Sequence, residues 1–398
     1  MITNGFTYIA FLILLAGGLL ALQKYTNWKI FKYVPALVLI YLLNMVFCTI
    51  GLYDMSSGSA VKAAYSGIKN NILYAMIFVL LLRCDFRKLA KLGPRMITIF
   101  LGCTVTIALG FIAGYPIFVN LIGGVDKTYG AVSALFASWV AGSGAMAAVG
   151  ASLGADEGAY ACALALDTVL YSLWWALMLF MVKYTEKWNR LVKADTSKLD
   201  AIAEISNAEV AKEKTNAATG TDWLFLLGIS LAVSALGQWV GVELNGMLKA
   251  IGIAAFDSGT LTCVFITVLG LICAMTPMGK LPAADELSTV YMYAVVSLLA
   301  STASLIDLIS APMWIVYGVF VLAIHAGGMF LLCKLFHWDL AMSVTGSVAN
   351  IGGTVSAPIV AAAFSPSYAG IGVLMGVLGA ALGNICGIGM SFILQLFG

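Results

Sequence analysis

Charged residues in this chain occur in short clusters, and the segments between the clusters are apolar over lengths that can cross a membrane. Only 10% of the 398 residues are charged, against about a quarter in soluble proteins. The last segment, from Leu340 to the C-terminus, contains no Asp, Glu, Lys or Arg. A single soluble core cannot bury this much apolar surface, so we expect the chain to fold in a lipid bilayer. A net charge of +2 does not indicate a nucleic-acid partner.

Ten apolar segments approach the roughly 20 residues that a helix needs to cross a bilayer. They lie at residues 4–22, 31–50, 65–82, 95–119, 158–182, 222–241, 260–277, 287–304, 311–333 and 369–396. Residues 183–220, between the fifth and sixth apolar segments, form a hydrophilic segment. Charges of both signs mix in it, as in a solvated linker. The sequence therefore predicts an all-α integral membrane protein whose two membrane repeats, residues 1–182 and 221–398, are joined by a charged cytoplasmic linker.

Two further apolar stretches, residues 129–155 and 340–364, are interpreted as re-entrant or broken hairpins. The alternative is an ordinary crossing, and the distribution of Lys and Arg decides between them, because cytoplasmic loops are rich in basic residues. With two hairpins and both termini outside, 17 of the 21 basic residues fall on the cytoplasmic side. With two full crossings, the basic residues divide much less clearly between the two sides of the membrane, and the larger share falls on the wrong side. We therefore predict hairpins.

Five crossings in each half place the second half upside down relative to the first. The run from Ser138 to Ala148 also aligns weakly with the run from Ser347 to Ala357, and both lie between the fourth and fifth crossings of their half. Inverted repeats with interrupted segments at the membrane midplane are typical of secondary transporters. We predict an inverted five-plus-five repeat.

Glycine-rich, polar sequences at the two hairpin tips are the candidate binding site. Glycine permits a helix to break, and a break at membrane depth exposes peptide groups that lipid cannot satisfy but a solute or ion can. The alternative is close helix packing through small residues. The predicted substrate-binding residues are Gly142, Ser143, Gly144, Asn350, Gly352, Gly353, Thr354 and Ser356.

Asp167 is the single acid deep within a predicted span, where a carboxylate is costly and by default indicates function. We predict that it couples transport to Na⁺ or H⁺, with Thr168 and Asn384 nearby; a hydrogen-bonded Asp in a helix contact is the alternative.

His325 is a candidate proton relay or, alternatively, a packed neutral residue. Gly142-Ser143-Gly144 and the run from His325 to Gly328 are also faintly similar to the catalytic elements of rhomboid intramembrane proteases, with Ala141 departing from that pattern.

No resident cofactor is predicted. The eight cysteines stand singly in apolar runs without nearby histidines, which indicates packing residues instead of a metal site or a disulfide framework. The sequence contains no P-loop pattern, which argues against ATP as the energy source. The only ligands that we expect are a small-molecule solute, Na⁺ or H⁺, and the surrounding lipid.

The run from Ser138 to Val149 and the more specific run from Ser347 to Pro358 resemble the uncharacterised bacterial YjcL-like membrane proteins, domain-of-unknown-function family 819, and the similarity extends over nearly the whole chain. This family is grouped with the cation:proton antiporter and anion transporter superfamily. The resemblance implies a scaffold domain that forms a homodimer, a mobile core domain, and the bacterial cytoplasmic membrane as location. It implies no substrate, and the paired acids of electrogenic sodium/proton antiporters are absent here.

The sequence as a whole predicts a secondary active transporter, not an enzyme, for a small solute that carries a carboxylate. No deep Arg or Lys is available to neutralise such an anion, so hairpin amides and a co-transported cation would do so. The alternatives are a cation/proton antiporter, an intramembrane serine protease and a membrane scaffold that transports nothing.

Overall fold

The computed structural model describes residues 1–26, 28, 31, 36–82, 84–85, 87, 93–196, 199–211, 217–251, 258–302 and 311–397. These residues are nearly all helical and include no β-strand beyond an isolated bridge between Ile2 and Tyr53. The helices are α1 Gly5–Tyr25, α2 Ala36–Thr49, α3 Ala60–Leu81, α4 Gly93–Ile122, α5 Val125–Ala141, α6 Ser143–Ser152, α7 Glu157–Met181, α8 Thr185–Val192, α9 Leu199–Ala211, α10 Gly220–Ala250, α11 Ser258–Ala274, α12 Ala284–Ala300, α13 Ala311–Phe336, α14 Leu340–Ile351, α15 Gly353–Phe364 and α16 Ala369–Gln395.

Within the described ranges, seven helical segments are long and apolar enough to cross a membrane. They lie at Gly5–Tyr25, Ala60–Leu81, Gly93–Ile122, Glu157–Val192, Gly220–Ala250, Pro312–Phe336 and Pro366–Gln395. The predicted spans at 31–50, 260–277 and 287–304 correspond to the shorter helices α2, α11 and α12. Within those predictions, residues 32–35 and 303–304 lie outside the described part of the chain. The chain therefore folds as a multi-pass, all-helical membrane protein.

Polar side chains fix where several of these helices begin. An oxygen at the position before a helix accepts a hydrogen bond from one of the first backbone N–H groups, which have no partner within the helix. Such caps are made by Asn4 at α1, Ser59 at α3, Asp156 at α7, Thr219 at α10 and Asp339 at α14. These polar residues separate the apolar runs, so the charge clusters seen in the sequence also mark the helix ends.

The helices pack in two groups. The first group contains α1, α2, α3, α10, α11 and α12, and the second contains α4, α5, α6, α7, α13, α14, α15 and α16. Contacts between the groups involve mainly α6, α7 and α16 from the second group. The assignment of one group as a scaffold and the other as a mobile core stays a prediction.

Helices α5 and α6 form the first broken pair, and the chain reverses direction at Gly142. A Cβ placed on Gly130 near the start of α5 would lie 3.1 Å from the Cα of Ala155, beyond the end of α6. One placed on Gly150 would lie 3.3 Å from the Cβ of Ala134. The two arms therefore run antiparallel with glycine at their contacts.

Helices α14 and α15 form the second broken pair, with the break at Gly352 and Gly353. The two arms pack against each other. Asp339 at the start of α14 and Phe364 at the end of α15 line the same polar cavity, so the chain returns to the side from which it came. Burial raises the pKa of the Asp339 carboxyl, which caps α14 through the amide of Met342 at 2.8 Å. Entry of the two pairs from opposite leaflets stays a prediction.

Within the described part of residues 183–220, helices α8 and α9 contact the second half of the chain. The side chain of Asn189 accepts a hydrogen bond from the amide of Leu340 at 2.9 Å, at the start of α14. At the start of α16, the amide of Gly370 donates to Asn207 at 3.1 Å. Helix α9 packs on α16, and Ala203 is buried there. Charge composition alone did not reveal this contact, because only a few apolar residues of the segment make it.

Two glycines of α16 test how closely that helix packs. A Cβ on Gly387 would lie 2.7 Å from the Cβ of Ala137 in α5, whereas one on Gly389 would meet no atom within 4 Å. We expect Gly387→Ala to destabilise the protein by about 1–3 kcal/mol, because the two helices have to separate. Gly389→Ala is the control and is expected to be neutral or to stabilise by up to about 1 kcal/mol through helix propensity. Thermal unfolding in detergent measures both, and equal effects would contradict this packing.

Candidate functional site

The two helix breaks meet. A Cβ placed on Gly353 would lie 3.7 Å from the carbonyl oxygen of Ala141 and 3.9 Å from the Cα of Gly142. Helix α16 passes the same point, where a Cβ on Gly379 would lie 3.5 Å from the carbonyl oxygen of Ala349. The ends of α5 and α14 and the beginnings of α6 and α15 therefore converge at one place, called the crossing below.

Backbone conformation explains why glycine occupies both breaks. Gly142 has φ +90° and ψ −179°, and Gly353 has φ +66°. The first combination is essentially restricted to glycine, and the second is left-handed. Gly142 stands between α5 and α6, and Gly353 is the first residue of α15, two positions after α14 ends at Ile351.

The crossing presents both signs of partial charge. The amino-terminal ends of α6 and α15 carry unpaired N–H groups with positive partial charge, and the carboxyl-terminal ends of α5 and α14 carry carbonyls with negative partial charge. Ala141, Gly142, Ser143 and Gly352 are partly exposed, and Thr354 is exposed. The arrangement can accept an anion and a cation side by side.

Asp167 on α7 is joined to the first broken pair. Its carboxylate accepts hydrogen bonds of 2.8 Å from the hydroxyl of Ser138 and 2.8 Å from the indole N–H of Trp139, both in the last turn of α5. Asp167 itself is partly exposed. The neighbouring Thr168 donates to the carbonyl of Leu164 at 3.0 Å, so its hydroxyl is engaged within its own helix.

The predicted tip residues Ser143, Gly144 and Ser356 each contact a different neighbouring helix. The hydroxyl of Ser143 donates to the sulfur of Met292 at 3.6 Å. Ser356 is buried and shares a hydrogen bond of 2.5 Å with the hydroxyl of Tyr171 on α7. A Cβ on Gly144 would lie 2.7 Å from Leu80 of α3, so this glycine permits a close approach between the two groups of helices.

The side-chain amides of two predicted site residues, Asn350 and Asn384, make hydrogen bonds to neighbouring helices. The oxygen of Asn350 accepts from Thr104 at 2.7 Å, and its nitrogen donates to the carbonyls of Gly346 at 2.9 Å and Phe100 at 3.3 Å. Asn350 therefore anchors α14 to α4. Asn384 is buried on α16 and donates to Thr267 of α11 at 3.5 Å, and among the described residues its oxygen has no hydrogen-bond donor.

His325 lies fully buried away from Ser143, with both ring nitrogens engaged. Nδ1 pairs with the hydroxyl of Thr106 at 2.7 Å, and Nε2 pairs with that of Ser347 at 2.8 Å. Ser347 also accepts from the indole of Trp174 at 2.9 Å. This network, called the His325 network below, joins α4, α7, α13 and α14.

Three contributors to the crossing were not selected from the sequence. Ser138 and Trp139 belong to the aligned motif, but their hydrogen bonds to Asp167 depend on how α5 meets α7. Tyr171 carried a usable signal, since it follows Asp167 by four residues and so shares its helix face. No cluster of three or more His, Cys, Asp or Glu able to hold a metal ion occurs in the described ranges.

Comparison with known proteins places the chain in a family. Residues 10–397 match the family described as "Protein of unknown function (DUF819)". The chain belongs to this family. It is also 25% identical over 358 residues to the uncharacterized membrane protein YjcL of Bacillus subtilis (strain 168), an alignment that covers 86% of this chain and 85% of that protein. The DUF819 description supplies membership without a substrate, so the function has to be argued from the crossing.

The hydrogen bond from Trp139 to Asp167 can be tested against a matched tryptophan. Trp139 and Trp314 are both fully buried, but the indole N–H of Trp314 has no acceptor among the described residues. Phenylalanine at either position creates a similar cavity, and only Trp139→Phe also removes a bond to a carboxylate. We expect Trp139→Phe to lower the free energy of unfolding by about 1.5–3 kcal/mol more than Trp314→Phe. Denaturant unfolding in detergent measures the difference, and an equal loss would argue against this bond.

Proposed function

We propose that this DUF819 protein is a secondary active transporter of a small solute bearing a carboxylate, driven by Na⁺ or H⁺ across the bacterial cytoplasmic membrane. The observation that carries the proposal is the meeting of the two helix breaks beside Asp167. Broken helices at membrane depth are stable only where protein or a water-filled cavity surrounds them, and transporters use such ends to bind substrate and coupling ion.

The crossing supplies complementary chemistry for both ligands. The helix beginnings at Ser143 and Gly353 favour a carboxylate, and the carbonyls that end α5 and α14 favour a cation. Asp167 adds a formal negative charge next to these carbonyls. A bound Na⁺ or proton at Asp167 would reduce the repulsion between that charge and the carboxylate of the solute, which is the physical basis for coupled binding.

The order of elements supports an inverted repeat and alternating access. In the part of the chain that the structure describes, each half shows three helices, then a long helix, a broken pair and a final helix, with α1 to α7 in the first half and α10 to α16 in the second. We propose that the two halves are inverted, that the second group of helices moves against the first, and that the first group forms a homodimer. The central linker lies in the cytoplasm and both termini lie outside in this arrangement.

Two alternative functions are weakened by particular observations. A cation/proton antiporter with paired acids is disfavoured because Asp167 is the single acid deep within a predicted span. An intramembrane serine protease built on the predicted pair Ser143 and His325 requires these two side chains within hydrogen-bonding reach of each other. Ser143 instead contacts Met292, and His325 contacts Thr106 and Ser347.

Gradient coupling through Asp167 is testable in proteoliposomes. Candidate amino acids and organic acids are first screened by ligand-induced thermal shift, and uptake of a hit is then measured under imposed Na⁺ or H⁺ gradients. We expect Asp167→Asn to abolish the stimulation by the gradient, since an amide does not take up a proton and has no negative charge to attract a cation. The variant should remain folded, because an amide can still accept from Trp139 and pair with Ser138.

Asp126→Asn is the matched control, since it makes the same change in charge at an exposed position near the start of α5. Its uptake should retain the gradient dependence. If Asp167→Asn keeps the ion dependence of the unaltered protein, Asp167 has no role in coupling.

The protease alternative is tested by a fluorophosphonate probe, which reacts with activated serines. We expect no stable adduct at Ser143, because its hydroxyl contacts Met292 and no base in the described part of the chain. Peptide mass spectrometry of the treated protein provides the measurement, with Ser143→Ala as the blank. Stable labelling at Ser143 that the blank lacks would favour the enzyme over the transporter.

A further inference from the structure

A cavity of about 440 Å³ lies between α7, α13 and α14, separate from the crossing. Its walls are mostly large apolar side chains, including Trp174, Met178, Met329, Phe330 and Val344. The cavity extends along α13 from Cys333 to His325, which is about 12 Å at 1.5 Å per residue. This length is close to the hydrocarbon depth of one leaflet, about half of 30 Å.

The polar side chains in the interior of this cavity, His325, Ser343 and Ser347, already have partners inside the protein. His325 and Ser347 are paired within the His325 network. The hydroxyl of Ser343 donates to the carbonyl of Asp339 at 2.7 Å and accepts from the thiol of Cys333 at 3.2 Å. A ligand therefore gains little from hydrogen bonding in the interior, and its affinity has to come from burial of apolar surface.

The cavity opens to the side, where lipid surrounds the protein. Leu177 is 45% exposed and Phe330 is 38% exposed, and both belong to helices that qualify as membrane spans. Gly327 is exposed at the opening, and a Cβ placed there would meet no atom within 4 Å. The opening of the cavity thus has free space at Gly327 for hydrocarbon.

The end of the cavity near the linker has features that fit a lipid headgroup. Trp188 lines this end, and its indole N–H has no acceptor among the described residues. The side chains of Lys183, Lys187 and Lys334 are exposed at the neighbouring helix ends. Trp at the membrane interface with basic residues beyond it is the usual surrounding of an ester and phosphate group.

We propose that this cavity binds one acyl chain of a phospholipid, with the ester group at Trp188 and the phosphate near the three lysines. One wall of the cavity is α14, the first arm of the second broken pair, so the bound chain touches an element that forms the crossing. The inference stands on the cavity alone and does not require the transport function proposed above.

Photo-crosslinking in nanodiscs tests the proposal with the full-length protein. The probe is a phospholipid with a diazirine in the middle of one acyl chain, and labelled peptides are identified by mass spectrometry. Val344 is the diagnostic position, because it lines the cavity but is only 4% exposed, so lipid at the outer surface does not reach it. We expect label on α14 at Val344 in addition to general label on the exposed face of α10.

Two leucine substitutions provide the matched comparison. Gly327→Leu fills the opening of the cavity, whereas Gly228→Leu adds the same side chain on α10, where open space is also available. We expect Gly327→Leu to lower labelling of α14 about tenfold, equivalent to roughly 1.4 kcal/mol of lost binding, and Gly228→Leu to leave it unchanged. Ala326→Leu is a second cavity-filling variant should Gly327→Leu fail to fold.

Three results would overturn the proposal. The first is the absence of label from α14 while α10 is labelled. The second is unchanged labelling of α14 in both cavity-filling variants. The third is labelling of α14 by a diazirine fatty acid in clear preference to the phospholipid, which would mean that the headgroup features at Trp188 and the lysines take no part.

Discussion

The peptide groups at the two breaks set the main constraint on this structure. A helix that ends inside a bilayer leaves N–H and C=O groups that hydrocarbon cannot satisfy. The second group of helices contains both breaks, α3 and α12 of the first group contact the start of α6, and glycines at 353 and 379 let three backbones approach at the crossing. The positions of α4, α7 and α16 follow from this requirement, because each of them covers one side of the crossing or anchors an arm beside it.

The sequence predicted the helical class, the membrane environment and the positions of both breaks, because each depends on local composition. It did not predict the partners of the polar residues. Asn350 is a predicted substrate-binding residue, and its hydrogen bond to Thr104, 246 positions away, has no signal in the sequence. The contacts of the linker have no sequence signal for the same reason. Asn189 and Asn207, which bind it to the starts of α14 and α16, are ordinary for a solvated segment.

Asp167 illustrates which part of a site can be recognised without a structure. An acid in an apolar helix is unusual enough to identify from composition. Its donors, Ser138 and Trp139, become recognisable only when α5 and α7 are placed together. These bonds also show that the aligned motif of the first half does two things, since it forms the break and holds the acid beside it.

The His325 network makes the two arms of the second broken pair mechanically unequal. Ser347 connects α14 with α13 and α7, and Asn350 adds a connection to α4, so side-chain hydrogen bonds join this arm to three neighbouring helices. The return arm, α15, packs closely against the backbone of α16 across Gly372 and Gly376 and shares a hydrogen bond with Tyr171 of α7 through Ser356. Among the described residues, α14 thus has more side-chain hydrogen bonds to other helices than α15 has, which makes α14 the more strongly anchored arm of the pair.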